Sequence, residues 1–108
     1  MITITNPVRN KYNILYLYYI RYKISKINNV DDIVKIFKII NYYFNYSCST
    51  DMILDILINS LLLYPLTDIE LQKLSLLQQQ YYNYNNIFGY ITLTLWLAVI
   101  HILMINED

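Results

Sequence analysis

Ile87-Phe88-Gly89-Tyr90-Ile91-Thr92-Leu93-Thr94-Leu95-Trp96-Leu97-Ala98-Val99-Ile100-His101-Ile102-Leu103-Met104-Ile105 is the stretch whose reading decides the fold. Its 19 positions hold no Asp, Glu, Lys, Arg, Asn or Gln, and its polarity is confined to Thr92, Thr94 and His101 with the tips of Tyr90 and Trp96. As a helix rising about 1.5 Å per residue it reaches about 28 Å, close to the hydrocarbon thickness of a bilayer. Eleven of its residues are Leu, Ile, Phe or Val, together worth roughly −3 to −7 kcal/mol for insertion. The segment is therefore expected to be a single transmembrane helix. The competing reading is the central helix of a soluble bundle, which can also be apolar all round.

Upstream, residues 1–86 read as an amphipathic helical region of the same single domain, 1–108, with about four to five helices in all. Asn29 can cap a helix whose first turn holds Asp31 and Asp32, where negative charge suits the helix dipole. Ile33, Ile36, Phe37, Ile40 and Phe44 then form one apolar stripe, with Lys35, Lys38, Asn41 and Asn45 on the other side. Ser47-Cys48-Ser49-Thr50 offers the next cap. In Asp51–Tyr64 the polar residues Asp51, Asp55 and Asn59 recur every four positions and read as one narrow solvated stripe, leaving Ile53, Leu54, Leu57, Ile58, Leu61 and Leu62 to be covered. Pro65 ends that helix, and Thr67-Asp68-Ile69-Glu70 is a capping box for the next, whose buried edge is Leu71, Leu74, Leu77 and Tyr81. The first 25 residues or so are ambiguous. Ile2–Thr5 and Ile20–Ser25 alternate with the strand period of two, yet no strand partner follows, so a helix from about Val8 to Lys26 is preferred.

Composition narrows the function classes. Ile (19), Leu (16), Tyr (13) and Asn (12) dominate the 108 residues, as AT-rich codons would dictate in an organellar, parasite or viral genome. With one glycine, Gly89, the chain has no Gly-rich phosphate loop and no dinucleotide fingerprint. One Cys and one His exclude a disulfide framework and a multi-ligand zinc site built from this chain alone. Only 15% of residues are charged, and a mean hydropathy of +0.30 points to a membrane segment or to surfaces covered by partners. Charge is split: residues 1–46 carry a net +5 and residues 47–108 a net −5. The bland account is mutual neutralisation in the folded chain; the sharper one sets the basic half against anionic headgroups and on the cytoplasmic or matrix side. So few basic residues at zero net charge argue against nucleic acid as a partner.

Candidate chemical groups are few. His101 is the one candidate cofactor-binding residue, as a haem or metal ligand, but no second ligand stands three or four positions away, which favours a hydrogen-bonded structural histidine. Cys48 has no adjoining basic residue to lower its pKa. Asp55 is the most notable carboxylate, on an otherwise apolar helix, and reads with Asp51 and Asn59 as one solvated stripe, so Asp55→Asn should be nearly silent. A Ser-His-Asp triad would have to be built around His101 at the end of an apolar helix, which argues against an enzyme. Trp96 and the tyrosines read as packing or interface anchors.

The order of amphipathic helices before an apolar one resembles the virally encoded apoptosis inhibitors of the B-cell-lymphoma type, although their Asn-Trp-Gly-Arg motif is absent and Asn86-Ile87-Phe88-Gly89 does not match it. That resemblance implies a soluble helical module for protein–protein interaction. The first expectation is a non-catalytic accessory subunit of a larger membrane assembly, without cofactor or metal. Its partners would be other subunits and the lipid bilayer, in a membrane such as the mitochondrial inner membrane.

Overall fold

The first turn of any helix leaves backbone N–H groups without internal partners, and in this chain five polar side chains supply them. The computed structural model describes residues 12–105. In these residues it contains five helices and no strand: α1 (Ile14–Ser25), α2 (Val30–Tyr43), α3 (Thr50–Leu61), α4 (Asp68–Tyr81) and α5 (Ile87–Ile105). The carbonyl of Asn13 accepts from Leu15 and Tyr16, that of Asn29 from Asp32, the Ser49 hydroxyl from Met52, the Thr67 hydroxyl from Glu70, and the Asn86 carbonyl from Phe88 and Gly89. Asp32 and Glu70 return the bond to the backbone of Asn29 and Thr67, completing two capping boxes. Backbone N–H donors from Asn28 and Asn29 hold the Asp32 carboxyl below its ordinary range.

The helix expected from Val8 begins, in the described residues, at Ile14; the expected residues 8–11, like the alternation at 2–5, lie outside those described. Ile20–Ser25 is helical despite its period of two. Leu17, Ile20, Ile24 and Ile27, at helical spacing, are all buried and outweigh the alternation. The α2 stripe is as read: Ile33, Ile36, Phe37 and Ile40 are buried and Phe44 packs against them. Beyond α2 the chain turns through Asn45 and Tyr46, both with positive φ, at 54° and 62°.

The bundle measures 39 × 35 × 21 Å, and its thinnest dimension is about two helix diameters. α5 packs chiefly on α3, then on α4 and α2, while α1 packs on α3 and α2. The most covered helix is α3, which has no exposed residue from Met52 to Leu61. Its covered circumference differs from the expected face: Ile56 and Ser60 are buried, whereas Leu62 is exposed. α5 therefore is not the enclosed centre of the bundle. It buries Ile91, Leu95, Ala98, Val99 and Ile102 on one side and leaves the other side open. It is the one helix among the described residues long and apolar enough to cross a membrane.

Gly89 lies where α5 presses on the turn before it. A Cβ there would collide with the Tyr84 carbonyl and come within 3.3 Å of the Tyr81 carbonyl oxygen. Inside a helix, Gly→Ala ordinarily stabilises by about 1 kcal/mol. Here Gly89→Ala is expected to destabilise by about 1–3 kcal/mol, because backbone has to move to admit the methyl group. Thermal unfolding followed by far-UV circular dichroism checks the sign, and a raised midpoint would refute the contact.

Candidate interaction face

The open side of α5 follows from its phase. Leu97 stands opposite the residues buried against α3, and one turn away on either side lie Leu93, Ile100 and His101, with Tyr90 and Met104 two turns away. Tyr90, Leu93, Leu97, Ile100 and Met104 are 36–66% exposed, and His101 is exposed with them. The face continues sideways into a groove lined by Leu71, Gln72, Ser75 and Leu76 of α4 with Trp96 and Leu103 of α5. No charged side chain lines this groove. Thr92 and Thr94 are buried, and their hydroxyls donate to the carbonyls of Phe88 and Tyr90, each at 2.8 Å. The threonine polarity of α5 is thus satisfied within the helix. The Tyr90 hydroxyl bonds the Thr50 hydroxyl of α3 at 2.7 Å while its ring meets Phe37 edge-on. Beyond these and His101 the open face is apolar.

His101, read from sequence as a hydrogen-bonded structural histidine, is exposed on this face. No group of three His, Cys, Asp or Glu side chains able to hold a metal occurs among the described residues. Cys48 is half-buried, and burial pushes its thiol up, away from the reactive thiolate form. Trp96 is half-buried beside the groove, as a packing residue would be. The serines are dispersed over the helices and their connections. Ser49 caps α3, and Ser60 donates to the Leu57 carbonyl.

Asp55 departs from the solvated stripe expected for it. It is half-buried, accepts a 2.6 Å hydrogen bond from the Tyr12 hydroxyl and is bonded by the Asn59 amide. Asp51, one turn earlier, is the exposed member of the three. Burial, reinforced by the bond to Asp55, holds the Tyr12 phenol above its ordinary range and so keeps it a donor. The pair ties the entry of α1 to α3.

Sequence reasoning did not find the pairing of Arg21. Its side chain is fully buried, bonds Glu70 at 3.0 Å, donates to the carbonyls of Tyr64 and Pro65, and stacks 4.1 Å from the Tyr64 ring centroid. Burial pushes the Glu70 carboxyl up. The Arg21 bond and charge and the Thr67 bond outweigh it, leaving Glu70 below the usual carboxylate range. An arginine amid the apolar spacing of Leu17, Ile20 and Ile24 was the available signal, since a buried guanidinium demands a carboxylate partner.

A second surface lies between α1 and α2, where Tyr16, Tyr19, Tyr42 and Tyr43 surround Ile39 beside Lys38 and Asn45. Tyr16 and Tyr43 stack with centroids 4.0 Å apart, and the Tyr16 hydroxyl reaches the Ile39 carbonyl at 3.4 Å. Tyr42 and Tyr19 stay open beside this stacked pair, 73% and 47% exposed. Compared with protein families, characterised proteins and solved structures, the chain matches none.

Proposed function

We propose that the protein is a non-catalytic helical subunit that works by docking an apolar partner on the open face of α5. The observation that carries this reading is a continuous, charge-free apolar surface on a helix whose opposite face is already committed to the core. Large exposed apolar patches mark interaction sites, because leaving them in water is unfavourable by about 25 cal/mol per Å². The favoured partner is protein. α5 is flanked by α2 and α4, and these carry Asp31, Asp32, Lys35, Lys38, Asp68, Glu70 and Lys73. Lipid could not surround α5 unless it left them.

A membrane role is the second reading, supported by the 19 uncharged residues of α5. In that case α5 would detach from the bundle to span the bilayer as the anchor of an accessory subunit, in the mitochondrial inner membrane or a comparable one. Its basic N-terminal half would remain on the cytoplasmic or matrix side.

Native size fractionation of cell extracts, with and without detergent, tests the proposal. The chain is expected in a detergent-independent species larger than itself, and Leu97→Glu should shift it to the size of the free chain. Leu15→Glu, at a position 75% exposed on α1, should leave the larger species intact. Equal effects from both variants, or retention of the large species by Leu97→Glu, would refute docking through α5.

A further inference from the structure

Resting on the reading that α5 carries the docking surface, we propose that its partner is the same face of a second copy, packed antiparallel about a two-fold axis beside Leu97. Tyr90, Leu93, Leu97, Ile100 and Met104 are separated alternately by three and four residues. This is the 3.5-residue spacing of a helix–helix seam, in which apolar side chains of one helix seat between those of another. The seam from Tyr90 to Met104 is about 21 Å long. A single exposed apolar stripe of this spacing is suited to one partner helix, rather than to a globular surface.

The second copy is favoured because the stripe is complementary to itself. With Leu97 at the axis, Tyr90 of one chain stands opposite Met104 of the other, and Leu93 opposite the Ile100–His101 step. Large side chains therefore face one another along the seam, all of them apolar but His101, as a two-fold interface requires. α5 has no charged residue to repel its own copy, whereas a partner presenting charges here would bury them unpaired. The area approaches that of a stable interface when the exposed residues flanking the stripe are buried with it. Ile87, Tyr90, Leu93, Leu97, Ile100, Leu103, Met104 and Ile105 of α5, with Leu76 of α4, are 36–66% exposed. At roughly 150–200 Å² for a large side chain, they offer on the order of 700 Å² per chain. A stable interface of standard size uses about 800 Å² per partner.

Sedimentation equilibrium of the full chain in detergent-free buffer tests the pairing. The chain is expected to be a dimer, and Leu97→Glu, which enters the interface twice, should weaken it at least 100-fold while the far-UV spectrum stays unchanged. Orientation is read by oxidation in a Cys48→Ser background. A mixture of Tyr90→Cys and Met104→Cys chains should cross-link, and Tyr90→Cys alone should not. Cross-linking of Tyr90→Cys to itself would overturn the antiparallel arrangement. A monomer would overturn self-pairing; if Leu97→Glu still shrank the cellular species, the docking reading would survive with a different protein as partner. A chain that stays dispersed only with detergent and floats with neutral phosphatidylcholine vesicles would overturn both, assigning the face to lipid.

Discussion

Leu57→Asp is expected to leave no folded protein. Leu57 is fully buried in α3, the helix covered on every side, so truncation to alanine alone should cost about 2–5 kcal/mol through lost burial and a residual cavity. An aspartate adds a carboxylate with no partner, and the combined penalty exceeds the roughly 5–10 kcal/mol by which small domains are held together. Leu62→Asp provides the contrast. Its α3 phase suggested the same face, but Leu62 lies at the C-cap and is exposed, so this variant should accumulate normally. Asp55→Asn falls between them: the amide oxygen can still accept from Tyr12, and the loss of the charged acceptor should cost about 1 kcal/mol. Denaturant unfolding of Asp55→Asn and soluble yield of the other two check the series. A folded Leu57→Asp would refute the central placement of α3.

Arg21→Met should be the next most damaging change, costing about 3–5 kcal/mol. It strands the Glu70 carboxylate and two loop carbonyls that the guanidinium now satisfies. Adding Glu70→Gln should restore part of the loss, since glutamine can keep the capping bond to Thr67 without a stranded charge. The pH dependence has a defined sign. Because the Glu70 carboxyl lies below its ordinary value of 4.5 in the folded chain, its contribution is complete above that value and disappears as pH falls through the lower folded one. Urea midpoints measured across the acidic range should therefore drop more steeply for the native chain than for Arg21→Met/Glu70→Gln. Equal slopes would mean that the ion pair does not stabilise the fold.

Much of the helical organisation was legible because it rests on local chemistry. Asn29 and Thr67 cap where their side chains and the following turn predicted, the cap expected within Ser47–Thr50 is Ser49, and the α2 stripe is fixed by a clean periodicity. What escaped depends on contacts distant in sequence. Arg21 meets Glu70 across 49 positions, and Tyr12 meets Asp55 across 43, distances at which spacing carries no signal. The apolar richness of α3 and α5 posed a different difficulty, for burial on all sides and exposure to a partner select the same residues. Periodicity could show that α5 needs cover, but not that the chain supplies it on only one side. His101 illustrates this: its place in an apolar helix implied burial, and its phase put it on the open face.

Thiol accessibility at two neighbouring positions of α5 tests the central claim, that one face is locked in the core and the other is covered by a partner. In a Cys48→Ser background, Val99→Cys and Leu97→Cys chains would be treated with a membrane-impermeant maleimide, first as isolated chains diluted to monomer and then in native extracts. Val99 is fully buried and Leu97 is 46% exposed. Val99→Cys should remain blocked in both settings until the chain is unfolded, while Leu97→Cys should react in the isolated monomer and be protected in the extract. Equal reactivity of the two in the isolated chain would contradict the packing of α5 on α3, and free reaction of Leu97→Cys in native extracts would contradict its role as a docking face.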